Sequence, residues 1–163
     1  MRKEVFLAVC FGYIISWAGE LHAEQVLRRL EPGDPDRKPI LNAARLTVAA
    51  DFGLKEPAEL VFKVNKLSTG HPIMCVIDDW AVLGAQPGTR SSGSWAPLVL
   101  DCFDGEDHLD NLTVLLLSRE NGDWQVVRGG SLCASDVPWL SWQDQPDLVG
   151  VVPQGVYGCF EAP

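Results

Sequence analysis

The sequence predicts an α+β domain in which one N-terminal helix packs on a four-stranded antiparallel meander, held by disulfides. Three observations carry this expectation. "ILNAARLTVAADF" is helical in period, whereas "ELVFKVNKL" alternates between apolar and polar residues. Asn121-Gly122 separates two apolar runs, the signature of a tight hairpin. Cys75, Cys102, Cys133 and Cys159 form an even set downstream of an export-type N-terminus.

The chain has 163 residues, a length suited to one domain. Its 47% hydrophobic and 21% charged content is that of a globular protein. A net charge of −9 argues against binding a phosphate backbone, which needs a basic face, so no nucleic-acid partner is expected. The acidity serves solubility first and also permits attraction to a basic partner.

Residues 1–23 read as a secretory signal peptide. Arg2 and Lys3 form the basic start, Val5 to Ala18 the apolar stretch, and "LHA" the cleavage site at Ala23. The apolar stretch is short for a membrane span, which takes roughly 20 residues. Val9 before Cys10, and the apolar run after it, argue against a lipoprotein site. A periplasmic or secreted location follows, with no membrane span after cleavage. Export favours disulfides over zinc for the four remaining cysteines, because no CxxC pair exists and His71 and His108 lack finger spacing.

Residues 24–35, with Pro32, Gly33 and Pro35, read as a flexible lead-in, and residues 36–163 as one domain with a tail from about 134. A helix is expected over about 36–52. Asp36 is its N-cap, Pro39 falls in the first turn, and Gly53 is the C-cap candidate. Leu41, Ala44, Val48 and Phe52 form its apolar stripe, with Ile40 beside it. "ELVFKVNKL" is the first strand, with Leu60, Phe62 and Val64 on one face. "WAVLGAQPG" is the second, ended by Pro87-Gly88. Residues 88–97 read as a Gly/Ser/Pro loop and 101–110 as an acidic one. "NLTVLLLSRENGDWQVVRGG" supplies strands three and four around a type I′ turn, pairing Glu120 with Asp123, Leu117 with Val126 and Leu115 with Arg128. A helix on one face of a curved meander is a cystatin-like or reduced NTF2-like arrangement.

The central hairpin is apolar on both faces: Leu115, Leu117, Trp124 and Val126 on one, Val114, Leu116 and Val127 on the other. The helix covers one, so the C-terminal tail, a partner chain or a ligand must cover the second. In a meander Cys102 and Cys133 lie at one end of the sheet and Cys75 at the other. The expected disulfides are therefore Cys102–Cys133 and Cys75–Cys159, the latter drawing the tail across the sheet.

Candidate chemistry is sparse. Asp78-Asp79 fits a turn better than an acid/base pair, since neighbours in a strand point apart. Asp101, Asp104, Glu106, Asp107 and Asp110 lack calcium-loop spacing and read as a solvated loop or a contact for a basic partner. His108 with Ser131, Ser135 or Ser141 lacks a nucleophile elbow, and paired cysteines are poor nucleophiles. No catalytic residue, metal ligand or cofactor is assigned. Asn111-Leu112-Thr113 matches a glycosylation sequon, meaningful only in a eukaryotic secretory pathway. Trp80 and Trp124 read as core. Trp95, in the Gly/Ser loop, is the best exposed aromatic. Trp139 and Trp142 lie one turn apart behind Asp136 and Pro138, placed either to cover the hairpin or to face a partner. The candidate binding surface is therefore Trp95, Trp139, Trp142, Asp104, Glu106 and Asp107.

Taken in order, "GDPDRKPILNAAR", "ELVFKVNKL", "DWAVLGAQP", "LTVLLLSRENGDWQVV" and "ASDVPWLSW" resemble a group of small, exported, functionally uncharacterised bacterial proteins. The resemblance covers most of residues 33–143. It implies a periplasmic or secreted helix-plus-sheet protein and no particular activity. The chain departs from that pattern in "STGHPIMCVID", which lengthens the first hairpin, and in its cysteine-bearing tail. The expected function is an exported, non-enzymatic interaction module, by analogy an inhibitor or immunity-type protein with a protein partner in the cell envelope. A small-molecule or glycan-binding NTF2-like domain is the alternative, and a hydrolase comes last.

Overall fold

The computed structural model describes residues 26–91, 93–98, 112–132, 142 and 145–161. The signal-peptide segment, Cys102, Cys133, Asp136 and Trp139 lie outside these residues, as does the acidic loop with Asp104, Glu106 and Asp107. The fold is α+β with a mostly antiparallel sheet.

Helix α1 spans Arg37–Asp51 and buries Ile40, Ala44, Val48 and Ala49. Asp36 precedes it but makes no side-chain cap bond. A capping carboxylate accepts from the second or third helical N–H, and the third residue here is Pro39, which has none. Asp36 instead pairs with Arg28 and, at 3.6 Å, with Arg119. The helix ends at Asp51, one residue before its expected end. The Gly53 N–H donates to the Ala50 carbonyl at 3.1 Å and the Leu54 N–H to that of Ala49 at 2.8 Å, the paired bonds of a Schellman stop.

Among the described residues the sheet has seven strands rather than four. They are β1 (Arg28–Arg29), β2 (Leu60–Val64), β3 (Met74–Ile77), β4 (Trp80–Ser91), β5 (Ser94–Pro97), β6 (Leu112–Glu120) and β7 (Asp123–Leu132). The principal order is β1-β3-β4-β6-β7, with β2 and β5 also paired to β4. β4 is the hub, because each of its edges serves two strands in succession. On one edge β3 pairs with residues 80–83 and β2 with 85–89. On the other, β6 pairs with 80–85 and β5 with 88–91. β2 and β3 thus act as one strand interrupted by an excursion over 65–73. Asn65 N–H donates to the Gly84 carbonyl at 2.9 Å and Gly84 N–H to that of Ile73 at 2.7 Å, which closes the excursion at its base.

Each missed strand has a physical reason. Arg28–Arg29 is too short and polar to alternate, yet it pairs with Val76 and Cys75, and Leu30 beside it is fully buried. The lead-in is therefore partly built into the sheet. "MCVI" is buried on both faces, so it shows no alternation. "SWAP" hides in turn-like composition. Pro87 does not end β4. Its carbonyl accepts from Leu98 N–H at 3.0 Å, so the edge that lacks an N–H faces the gap between the last β6 pair, Ala85–Thr113, and the first β5 pair, Gly88–Pro97.

The β6–β7 hairpin turns at Asn121 and Gly122, both at positive φ, as a type I′ turn requires. Glu120–Asp123 and Leu117–Val126 pair as expected, but Leu115 pairs with Gly129, not Arg128. A bulge between Leu116 and Leu117 shifts the register and leaves Val127 43% exposed. Gly129 fixes it: at φ 104° a Cβ there would sit 2.1 Å from the Val114 carbonyl oxygen.

Strand alternation builds two cores. Met74, Val76, Ala81, Leu83, Leu115, Leu117 and Trp124 pack with Ile40, Ala44 and Val48 of α1. Cys75, Ile77, Val82, Val114 and Leu116 point the other way and pack with Trp142, Leu148, Val152, Val156 and Tyr157 of the C-terminal tail. The tail is thus the second cover. Its 3-10 helix, Gln154–Phe160, is joined to β3 by a Cys75–Cys159 disulfide across 84 residues. A loop of that length carries about 4–5 kcal/mol in the chain-entropy account. Arg29 of β1 adds a second anchor, donating to the carbonyls of Cys159 (2.8 Å), Gly158 (3.1 Å) and Glu161 (2.7 Å).

Trp142 is 3% exposed within the second core. Trp142→Ala is expected to lower the unfolding free energy by about 3–5 kcal/mol, the range for emptying a buried indole site. Chemical denaturation checks this, and an unchanged midpoint and slope would contradict the packing.

Candidate functional site

An aromatic and cationic corner lies where β2, β4 and β5 meet, on the sheet face opposite α1. Alternation from Leu60, Phe62 and Val64, which join the helix-side core, sends Val61 and Lys63 to this other face. Gly88 pairs with Val61 on one side and Pro97 on the other, and Arg90 stands directly opposite Trp95. The Trp95 indole lies against Gly88: a Cβ on Gly88 would fall 2.4 Å from its Nε1 and 2.5 Å from the Ala96 carbonyl oxygen. Only glycine allows so close an approach. The Lys63 Nζ sits 5.4 Å from the ring centroid, within cation–π range. The Trp95 N–H is buried without a hydrogen-bond partner among the described residues. Lys63 and Arg90 are exposed and Trp95 half-buried.

Beside this corner is a cleft of about 660 Å³ lined by Arg45, Ala58, Glu59, Val61, Thr89 and Arg90. Arg45 reaches it from α1. Its Nε donates to the Leu60 carbonyl at 2.9 Å and its Nη1 to the Asn42 side chain. Two smaller clefts, of about 400 Å³ each, also reach Arg45.

The sequence candidates separate as follows. Trp95 is on β5 rather than in a loop, and it is packed on Gly88 rather than free. Trp142 is in the second core, so of its two readings the structure places it in packing. Trp124 is core at 7% exposure, while Trp80 is half-buried against the second core. Asp78 and Asp79 form the two-residue turn between β3 and β4, Asp78 at φ 51°. The Asp79 carboxylate accepts from Arg119 Nε at 2.9 Å, which ties this turn to β6. Arg119 also lies 5.1 Å over the Trp124 ring. Lys63, Gly88, Arg90 and Arg45 were missed. Lys63 is legible in hindsight from its alternation opposite Phe62; that Arg45 and Arg90 line one cleft depends on how α1 crosses the sheet.

Among the described residues no group of three or more His, Cys, Asp or Glu is placed to hold a metal, and no helix is long and apolar enough to cross a membrane. No family model matches the chain, and neither a curated protein nor a solved structure matches it.

Burial raises the pKa of Tyr157 above the ordinary tyrosine value. The unfolded chain then loses its phenolic proton first, so the stability this group contributes is whole below about pH 10 and falls as pH rises towards the folded-state value. Tyr13 and Tyr157 are the two tyrosines, so a chain beginning at Glu24 reports Tyr157 alone. Its phenolate absorbance is expected to appear at higher pH when folded than in denaturant; coincident curves would contradict the buried placement.

Proposed function

We propose that the chain is an exported binding module that recognises a protein partner in the cell envelope, in the manner of an inhibitor or immunity-type protein, through the Trp95 corner. The observation that carries this reading is the assembly of Trp95, Lys63 and Arg90 on paired strands, with the indole seated on Gly88. Tryptophan and arginine dominate the energetically important centres of protein interfaces. Strands hold them more precisely than a loop does. The disulfide joining β3 to the tail suits an oxidising compartment, in keeping with the signal peptide read at residues 1–23. A helix against one face of an antiparallel sheet agrees with a cystatin-like or NTF2-like scaffold, on which function is grafted rather than implied.

Immobilised protein is expected to retain one stoichiometric partner from envelope extract. Trp95→Ala should weaken that complex by about 30-fold, the effect of losing a hot-spot side chain worth about 2 kcal/mol. Retention of the partner at full affinity by a folded Trp95→Ala variant would refute the assignment of the surface. Failure of the parent protein to retain any partner would refute the function.

A further inference from the structure

We infer that the Trp95 corner takes an acidic partner: a protein segment that lays carboxylates beside Lys63 and Arg90 and apolar surface against the indole. This rests on the reading of the corner as the docking surface and names the chemistry of what docks there. The chain carries 22 acidic and 13 basic residues, yet residues 60–77 and 80–100 contain no Asp or Glu. Those two stretches hold all of β2, β3, β4 and β5. Their cations are Lys63, Lys66 and Arg90. Asp78 and Asp79 stand in the turn at the far end of β4, where Arg119 engages Asp79. The corner is therefore locally positive on a protein of net charge −9. An acidic segment is repelled by most of the surface and attracted here, which fixes where it docks.

Register puts the contributing groups on one face. Val61 pairs with Gly88, Lys63 with Gln86, Trp95 with Arg90 and Pro97 with Gly88, and paired residues share a face. Gly88 lies two residues from Gln86 and two from Arg90, so the indole seated on it falls between the two cations along β4. Lys63 and Arg90 are exposed, and neither has an ion-pair or hydrogen-bond partner among the described residues. Glu59, immediately before β2, forms no ion pair among them either. The Cα atoms of Lys63 and Arg90 are one strand and four residues apart, about 14 Å. An extended segment with acids at alternate residues spans that distance on one face. Val61 and Pro97 flank the indole and give the segment an apolar floor. Trp95 is half-buried against Gly88 rather than projecting as a membrane-inserting side chain does, which favours a protein segment over a lipid surface.

The test is an NMR titration of the isotope-labelled protein with the peptide acetyl-Glu-Thr-Glu-Thr-Glu-amide, beside counterparts carrying Gln or Lys in place of Glu. The expected result is saturable shifts of the Lys63, Arg90 and Trp95 resonances with the Glu peptide, about tenfold weaker binding of the Gln peptide and none of the Lys peptide. Lys63→Gln and Arg90→Gln should each weaken binding about threefold, the value of an exposed ion pair. Glu59→Gln should tighten it by removing a like charge, and Lys38→Gln, an exposed cation in the first turn of α1, should leave it unchanged. Each variant is first shown to melt as the parent does. The proposal is overturned by absence of saturable shifts at the corner, or by equal losses in Lys38→Gln and Arg90→Gln, which would mark diffuse attraction. Binding of phosphatidylglycerol vesicles through Lys63 and Arg90 without a peptide response overturns it in favour of a membrane. The same shifts on concentrating the protein alone overturn it in favour of a second copy. Equal binding of the Gln peptide overturns the acidic partner but leaves the corner a docking surface, whereas full retention of an envelope partner by Trp95→Ala removes the docking surface itself.

Discussion

Val82, Val114 and Leu116 point away from α1 and are fully buried. Burying three such side chains is worth roughly 4–9 kcal/mol, and a wet second face would forfeit it. The helix lies on the other side, so the C-terminal tail must supply the cover. A tail with little regular pairing is costly to order. Cys75–Cys159 reduces that cost by restricting the unfolded chain, and Arg29 holds the carbonyls of the last 3-10 turn in place. Both anchors come from the sheet's β1–β3 edge, which ties the lead-in, the sheet and the tail into one unit.

Much of this was legible in the sequence. The two-sided hairpin and the need for a second cover follow from alternation, and the Cys75–Cys159 link was expected, although Cys75 lies within β3, paired with Val82, rather than at a hairpin tip. The helix followed from its period, to within a residue at each end. What escaped was whatever depended on partners distant in sequence. β3 carries no period because both its faces are buried. β1 owes its existence to pairing with β3. β5 forms because Gly88 leaves room for Trp95. The bulge at Leu116/Leu117 rests on Gly129, whose neighbour Gly130 brings the backbone within reach of Asp51 of α1.

The same architecture explains where recognition can reside. The tail covers the second face over β3, β6 and the first half of β4, where the side chains are aliphatic. Beyond Ala85, β4 pairs with β2 and β5 instead, and that face changes character to Lys63, Gln86, Arg90 and Trp95. One long strand therefore serves as core at one end and as a display surface at the other. Aromatic and cationic groups stand on a backbone whose position is fixed by the packed half.

The central claim, that the tail is the obligatory cover of the second apolar face, is tested most directly by a chain ending at Asp144. Its unfolding free energy and its binding of a hydrophobic fluorescent dye are measured beside those of the full chain. The account predicts loss of the cooperative transition, or a transition weakened by several kcal/mol, on the order of the burial forfeited, together with strong dye binding. A truncated chain that unfolds at the same denaturant concentration and stays dark with the dye would contradict it.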